Sequence, residues 1–364
     1  MGEVNTALSP RAATALWTAI AEPPSPAPTL IDAVGPVPAL EMLRAGELAG
    51  YPELGAHPAR WLERLAHLEA RGWDNPAEHF LMPGDPHWPT QLADLGPERP
   101  LGLWVEGRPE VLTRPALTIV GARAATPYGT RLAGSFAAEL SASHVIVSGG
   151  AFGIDVAAHE GALAAGGATV AVMSCGIDRA YPARHARVFS QITGSGAIIS
   201  EYPPGTAPAR HRFLVRNRLI AALGTACLVV EAGRRSGALA TARRAAEIGR
   251  EVLAVPGPVG SRMSSGTNQL LRDYGICATE PGDVLEAIGQ LHADPPPTSN
   301  RRKHDCLRGE RGAVHDALTD VASPLGDIAR RAGLTGPETR RALSGLVALG
   351  FAAEATGGWH RLEP

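Results

Sequence analysis

Short runs of β-branched residues alternate with glycine-rich turns and alanine-rich helical segments in the middle of the chain, and this alternation limits the possible folds severely. The apolar runs lie at 116–121, 144–150, 169–173, 197–200, 226–232 and 251–257. Near-continuous apolar strands that alternate with helices form parallel sheets covered by helices on both faces. The sequence therefore predicts an α/β fold, an extended Rossmann-like, doubly wound parallel sheet over residues 79–291.

The two flanks have a different pattern. Residues 1–78 read as short helical segments broken by Pro and Gly, and they predict a helical domain. Its glycines fit either a SAM or helix-hairpin-helix-like DNA binder or a plain helical cap. Residues 292–306 are Pro-rich, polar and basic, as in a linker. Residues 307–364 read as helix, helix-turn-helix and a hairpin around Gly357-Gly358, which predicts a winged helix.

Composition excludes several classes of protein. No apolar run approaches the roughly 20 residues of a membrane span, and the first residues do not resemble a signal peptide. The 4 cysteines lie far apart without a C-x-x-C pair, so we expect reduced thiols in a cytoplasmic protein with no metal, cofactor or membrane contact. The 34 Lys and Arg against 36 Asp and Glu leave a net charge of −2. Any nucleic-acid site must therefore be a local patch.

Several glycine-rich turns follow the predicted strands. In doubly wound sheets, ligands bind at the carboxyl ends of the strands, where the exposed N–H groups of helix starts favour phosphate. The turns are Gly121 to Arg123, Gly149-Gly150 to Asp155, Gly233 to Gly237, Pro256-Gly257, and Ser264 to Asn268, which includes Gly266. This arrangement predicts a site lined by phosphate-binding groups along one edge of the sheet.

The segment 209–218 is strongly basic. It holds four arginines and no acid, with Phe213 among them. A cationic groove with an aromatic ring is typical of single-strand recognition, because bases stack on the ring while arginines bind phosphates. The other interpretation is a helix start whose arginines pair with acids elsewhere, with Phe213 in the core. The segment alone does not separate the two.

Motifs of common enzymes are absent from the sequence. It contains no G-x-x-x-x-G-K-[ST], no H-E-x-x-H, no G-x-S-x-G and no complete dinucleotide fingerprint. Asp155 and His159 lie four residues apart and could form an acid–base pair. The favoured interpretation is structural, with Asp155 bonding amides at a helix start and His159 packing one turn later. Glu231 has two equally good interpretations: it orients nearby arginines, or it is a catalytic acid. We assign no catalytic residue.

The combination of these motifs resembles a known family. The segments SGGAFGIDVAAHEGAL, GIDRAYPARH, SEYPPG, FLVRNRLIAAL, VVEAGRRSGALATARRAAEIGREVLAVPGP and GTNQLLRD are together similar to the DNA-processing protein A family, DprA or Smf. The resemblance spans roughly residues 115–275. It implies single-stranded DNA binding without catalysis. It also implies a homodimer that protects incoming DNA during natural transformation and loads the recombinase RecA onto it.

The resemblance also implies site residues. By motif, the DNA pocket falls on Arg123, Gly149, Gly150, Arg210, Phe213, Asn217, Ser236 and Gly237. The predicted DNA-binding set adds Gly121 and Gly266 from the turns, and Arg216 as a further phosphate-binding cation. Arg216 and Arg218 fit equally well as braces against Glu231. Departures from the family pattern are Ala122 where serine is common, Arg210 where lysine is frequent, Gly150 at a variable position, and Tyr274 before Gly275.

Two other functions compete with DNA binding. One is a nucleotide-processing enzyme similar to the phosphoribohydrolases, whose P-G-G-x-G-T-x-x-E run corresponds here to residues 233–241, without the glutamate. The other is a regulator that senses a nucleotide and reads duplex DNA. In the predicted winged helix, Arg340 and Arg341 could contact duplex, but the mostly apolar helix around them fits protein docking at least as well.

Overall fold

The computed structural model describes residues 8–73, 77–290, 307, 309–348 and 350–362. The chain divides into two compact units, Met1–Leu291 and His292–Pro364. The predicted linker at 292–306 lies outside the described residues. The predicted domain boundaries remain predictions.

The first unit begins with a small group of helices. These are α1 (Pro10–Ile20), α2 (Ala27–Val34), α3 (Pro36–Ala45) and α4 (His57–Arg71). Trp17 of α1 and Trp61 of α4 meet edge to face, with ring centroids 5.3 Å apart. On α4, Trp61 and Leu65 are buried while Leu62 is exposed. Residues four apart share a helix face and adjacent residues do not, so one stripe of α4 packs on the core.

A nine-stranded sheet forms the centre of this unit. Its strands are β1 (Phe80–Leu81), β2 (Leu103–Gly107), β3 (Ala116–Val120), β4 (Val145–Gly149), β5 (Thr169–Val172), β6 (Ala197–Ser200), β7 (Ala226–Val229), β8 (Glu251–Ala254) and β9 (Ile276–Cys277). The order across the sheet is β1-β2-β6-β5-β4-β3-β7-β8-β9. Strands β3 to β9 pair in parallel with one another. At one edge, β2 pairs antiparallel with β6, and β1 pairs antiparallel with β2. The predicted α/β class with a mostly parallel sheet is confirmed.

Helices cover both faces of the sheet. The remaining helices of the unit are α5 (Pro127–Leu140), α6 (Ile154–Ala164), α7 (Ala186–Ser195), α8 (Arg210–Leu223), α9 (Gly237–Glu247), α10 (Thr267–Asp273) and α11 (Pro281–Ala287). Successive residues of β3 alternate between two cores: Leu117 and Ile119 pack with α5 and α6, whereas Ala116 and Val120 pack with α8 and α9. Burial on both faces explains why these strands are apolar at almost every position.

The strand order reverses at β3. The chain adds β4, β5 and β6 on one side of β3, and then α8 returns it to β7, β8 and β9 on the other side. Loops after β3 and β7 therefore lead away in opposite directions and leave a crevice at the carboxyl edge of the sheet. Ligands of open α/β sheets bind at such a switch point.

The second unit contains three helices and a hairpin. They are α12 (Glu310–Ala317), α13 (Leu325–Ala332), α14 (Gly336–Ala348), β10 (Ala352–Ala355) and β11 (Gly358–Arg361). The hairpin turns at Gly357 and Gly358, whose φ values of 107° and 136° suit glycine. The winged-helix assignment of this unit remains a prediction. In the described residues of both units, no helix is long and apolar enough to cross a bilayer.

Candidate functional site

The loops at the carboxyl edge of the parallel strands bring most of the predicted site residues together. This edge, which we call the rim, comprises the loops after β3, β4, β5, β7 and β8 and the first turns of α8. Arg123 follows β3, Gly150 follows β4, and Ser236 follows β7. Phe213 lies in the first turns of α8, which begins after the loop that follows β6. Residues separated by more than 100 positions thus face one crevice.

Arg123 and Phe213 form the centre of the rim. The guanidinium carbon of Arg123 lies 5.1 Å from the centroid of the Phe213 ring, within the range of a cation–π contact. Arg123 is exposed and Phe213 is half-buried. In the described part of the chain, no carboxylate pairs with Arg123. Its donors are therefore available to an anion from solvent.

The four arginines of the basic segment have different surroundings. Arg210 is exposed. The Nε of Arg212 donates to Glu22 at 2.6 Å, and Arg218 forms a bidentate pair with Glu201 at 2.5 and 2.8 Å. The pairing of arginines with acids is thus confirmed for two of the four, and recognition of a single strand by this segment stays a prediction. Two arginines pair with acids, whereas Phe213 and Arg210 remain at the surface.

Arg216 lies in the interior, with 4% of its surface exposed. Its Nη1 donates to the carbonyl of Val172 at the end of β5, and burial lowers the pKa of Arg216 to about 10. A Cβ at Gly149 would lie 2.8 Å from this Nη1 and 2.5 Å from Oδ2 of Asp155. Gly149 therefore makes room for a buried cation and acid beneath the loop. This position makes Arg216 a brace of the strand ends in this conformation, not a surface phosphate contact.

The prediction that Arg216 and Arg218 brace against Glu231 was wrong, because Arg216 bonds to Val172 and Arg218 to Glu201. Glu231 instead accepts hydrogen bonds from the backbone N–H of Thr126 at 2.8 Å and from its hydroxyl at 2.7 Å. Thr126 is the N-cap of α5, where its own hydroxyl accepts from the N–H of Gly129. The buried carboxylate of Glu231 thus stabilises the start of α5.

Asp155 and His159 are buried and structural, as the favoured interpretation held. Asp155 accepts from the backbone amides of Ala151 and Gly121, and burial raises the pKa of Asp155 to about 6. The two ring nitrogens of His159 are engaged, Nδ1 with the Thr169 hydroxyl at 2.7 Å and Nε2 with the Gly149 carbonyl at 2.9 Å. Burial lowers the pKa of His159 to about 4, so the ring is neutral near pH 7.

His159→Asn is expected to destabilise the protein by an amount that depends on pH. The folded-state pKa of about 4 lies below the ordinary 6.5, so the unfolded chain binds a proton more readily between these values. The contribution of His159 to the free energy of unfolding is thus present above pH 6.5 and lost as pH falls towards 4.

The destabilisation should grow by on the order of 3 kcal/mol from pH 4 to pH 6.5. Urea unfolding of both proteins across this range measures it. The wild-type protein and the variant must be compared at each pH, because Asp155 changes the free energy of unfolding of both. Its pKa is raised, so its contribution to stability falls as pH rises through 6. A difference that is constant with pH would contradict a neutral His159.

The turn after β7 is joined to α8. The Ser236 hydroxyl caps α9 by accepting from the N–H of Ala238 at 3.3 Å. The side-chain amide of Asn217 donates to the carbonyl of Gly237 at 3.4 Å. Gly237 is exposed, and the first N–H groups of α9 open onto the rim. This turn therefore carries a helix N-terminus, and it is tied to Asn217, which lies on α8 four residues after Phe213.

The other predicted glycines permit close packing of the loops. A Cβ at Gly121 would clash with Ile154, and one at Gly266 would lie 2.7 Å from the carbonyl of Ala232. Gly150 is also tightly packed, with Phe189 at 3.0 Å from such a Cβ. Gly266 is buried, so its place near the rim is one of support.

Two aromatic residues at the rim did not enter the sequence-based prediction. Tyr181, in the loop after β5, lies 5.7 Å from Phe213 between ring centroids. Phe152, in the loop after β4, lies 4.6 Å from His185. Phe152 follows the end of β4 by three residues, a position that could have found it, whereas Tyr181 lies nine residues after β5 and carries no such signal. Within the described ranges, no cluster of three or more His, Cys, Asp or Glu residues could hold a metal ion.

Comparison with known proteins identifies the family. Residues 79–289 match the model of the DNA recombination-mediator protein A family. The chain belongs to this family. The match covers the whole sheet and every predicted site residue, so the rim described above lies entirely within the family region.

Relatives extend the similarity beyond the sheet. The chain is 39% identical to the putative DNA processing protein DprA of Mycobacterium tuberculosis over 368 residues, covering 94% of this chain and 92% of that protein. It is similar to the X-ray structure of DNA processing protein A from Streptococcus pneumoniae, with a TM-score of 0.58, 36% identity, and coverage of 63% of this chain and 81% of the other.

A second structure comes from Helicobacter pylori, where the single-stranded DNA binding mode of DNA processing protein A was described. The TM-score is 0.53 and the identity 29%, over 58% of this chain and 97% of the other. Both solved structures of DNA processing protein A therefore share much of the fold of this chain.

Proposed function

We propose that the rim binds single-stranded DNA and leaves it chemically intact, as part of a recombination mediator. The observation that carries the proposal is the contact between Arg123 and Phe213. A guanidinium that no carboxylate of the described residues pairs with lies over a half-buried ring, at the switch point of a sheet whose loops present backbone N–H groups. A cation that binds phosphate beside a ring that stacks on a base gives affinity with little sequence preference. The Helicobacter pylori relative with a described single-stranded DNA binding mode supports this choice of ligand.

Two buried acids near the rim support binding without catalysis. Glu231 is held by Thr126, and Asp155 is held by backbone amides in the interior. Neither carboxylate is free to activate a water molecule at a bound strand. The competing enzyme function requires a glutamate in residues 233–241, and that segment has none. Protein-dependent release of free base from AMP would favour the enzyme.

The wider role follows from the family. We propose that the chain acts as a homodimer that protects incoming single strands and loads RecA onto them. We further propose that residues 307–364 form a winged helix. There, exposed Arg340 is available to a duplex or a partner protein, while Arg341 lies 3.6 Å from Glu310.

The test of DNA binding compares fluorescein-labelled oligo-dT with a duplex of equal length by fluorescence anisotropy over a salt series. Binding to oligo-dT should be tighter, and its logarithm should fall linearly with the logarithm of salt concentration. Equal or tighter binding to duplex would contradict the proposal and favour a duplex-reading regulator.

Phe213→Ala is expected to weaken oligo-dT binding by about 5- to 30-fold. The variant loses a stacking ring, which contributes about 1–2 kcal/mol per base. Phe213→Tyr, which keeps the ring, should bind within about two-fold of the wild-type protein. The same anisotropy titrations measure both variants, and equal affinities for Ala and Tyr would remove Phe213 from the site.

A further inference from the structure

Exposed aromatic side chains are concentrated at the rim. In the described residues, the aromatic side chains with large exposed fractions are Tyr128, Phe152, Tyr181 and Tyr274. Phe152 follows β4, Tyr181 follows β5, and Tyr128 lies in the first turn of α5 after β3. Tyr274 alone follows a helix, α10, that leads away from the carboxyl edge of β8. Exposing a large aromatic ring to water is energetically unfavourable. A group of exposed rings on one edge of the sheet therefore marks a binding surface.

Phe152 and Tyr181 lie on either side of the turn at Gly150, and Tyr181 adjoins Phe213. Tyr181 lies 5.7 Å from Phe213, and Phe213 lies under Arg123. The turn at Gly150 joins the two residues, because Phe152 follows it by two positions and the Tyr181 carbonyl would lie 3.2 Å from a Cβ at Gly150. Phe152 and Tyr181 are each 43% exposed, so part of each ring is open to a ligand.

Buried rings support this surface from below. Phe152 packs edge-on against His185, whose Nδ1 lies 3.3 Å from the Gly150 carbonyl. His185 in turn packs on Phe189, with centroids 6.2 Å apart. Both supporting rings are buried. A ring held by packing loses little rotamer freedom when a base stacks on it, so its contribution to affinity is larger.

We propose that Phe152 and Tyr181 are further base-stacking residues, which extend the surface of Phe213 to the next bases of a bound single strand. The inference rests on the proposed DNA binding. It predicts that the bound DNA strand runs from the first turns of α8 and the end of β3 across the loops after β5 and β4. Stacking on rings needs no particular base, so this extension adds affinity for any unpaired sequence.

The test measures oligo-dT affinity for Phe152→Leu and Tyr181→Leu, which keep apolar volume but lose the ring. Each should bind about 5- to 30-fold more weakly than the wild-type protein, while Tyr181→Phe keeps wild-type affinity. The slope of log affinity against log salt should remain that of the wild-type protein, because no phosphate contact is removed. Tyr274→Leu is the matched control, an exposed tyrosine away from the rim, and should bind normally.

Photo-crosslinking with oligonucleotides that carry 5-bromodeoxyuridine is the second measurement. It needs no substitution, and the crosslinked peptides should contain Phe152 or Tyr181 in addition to Phe213. If the wild-type protein binds oligo-dT but both leucine variants bind like Tyr274→Leu, the inference is wrong and the proposed function stands. Crosslinks confined to Phe213 would also overturn it. If the wild-type protein does not bind oligo-dT, the proposed function itself fails.

Discussion

Arg123→Ala is expected to weaken the binding of oligo-dT by about 100-fold. The exposed guanidinium has no carboxylate partner in the described residues, so a phosphate that reaches the rim gains a charge-assisted hydrogen bond without breaking an ion pair. Such a bond contributes about 1.5–3 kcal/mol. The variant also loses the cation that lies over the Phe213 ring, so the ring is held less firmly in position for stacking. Together, the two losses correspond to about 2.7 kcal/mol of binding free energy.

The salt dependence separates a phosphate contact from a structural effect. Loss of one phosphate contact should reduce the slope of log affinity against log salt by about 0.7. Arg272→Ala is the control, because Arg272 lies in the last turn of α10 and its side chain bonds to Gln269 alone among the residues that the structure describes. This variant removes the same charge and should leave the affinity and slope unchanged. An unchanged slope in Arg123→Ala would exclude a direct phosphate contact.

Glu201→Ala is expected to lower the free energy of unfolding by about 3–5 kcal/mol. The variant leaves the Arg218 guanidinium buried without its carboxylate partner, with 7% of its surface exposed. Breaking a buried pair by removing one member costs this much because the remaining charge is desolvated and unpaired. Urea unfolding followed by circular dichroism measures the change.

Two variants control for this effect. Glu69→Ala removes an acid from the exposed pair with Arg44, and should change the free energy of unfolding by less than about 1 kcal/mol. The double variant Glu201→Leu with Arg218→Met replaces both charges by apolar groups and should recover most of the loss. A Glu201→Ala variant as stable as Glu69→Ala would show that the buried charge is hydrated.

Most of the sheet follows from local pattern. The predicted strands at 116–121 and 144–150 correspond to β3 and β4, and each ends at the turn that the glycines indicated. The short antiparallel strands β1 and β2 were not predicted from the sequence. Phe80–Leu81 has two residues, too few for a period to appear, and its pairing with β2 depends on distant contacts.

The candidate site was less predictable than the fold. The sequence placed four arginines in one segment, and only Arg210 remains exposed there. Arg216 was assigned to phosphate but is buried under Gly149, where it donates to the Val172 carbonyl at the end of β5. Phe152 and Tyr181 were not selected, because a ring in a loop gives no sign of whether it is exposed.

By itself, the sequence determined the alternation of the parallel strands with helices from β3 onwards, the parallel sheet and the position of the glycine turns at its carboxyl edge. These follow from hydrophobic period and turn chemistry, which act between residues close in the chain. The tertiary structure alone decided which cations and rings are available to a ligand. Arg212 is occupied by Glu22, 190 positions away, whereas Arg123 has no such partner in the described chain. The pairing of a charge depends on which distant segment packs beside it, and no local pattern encodes that.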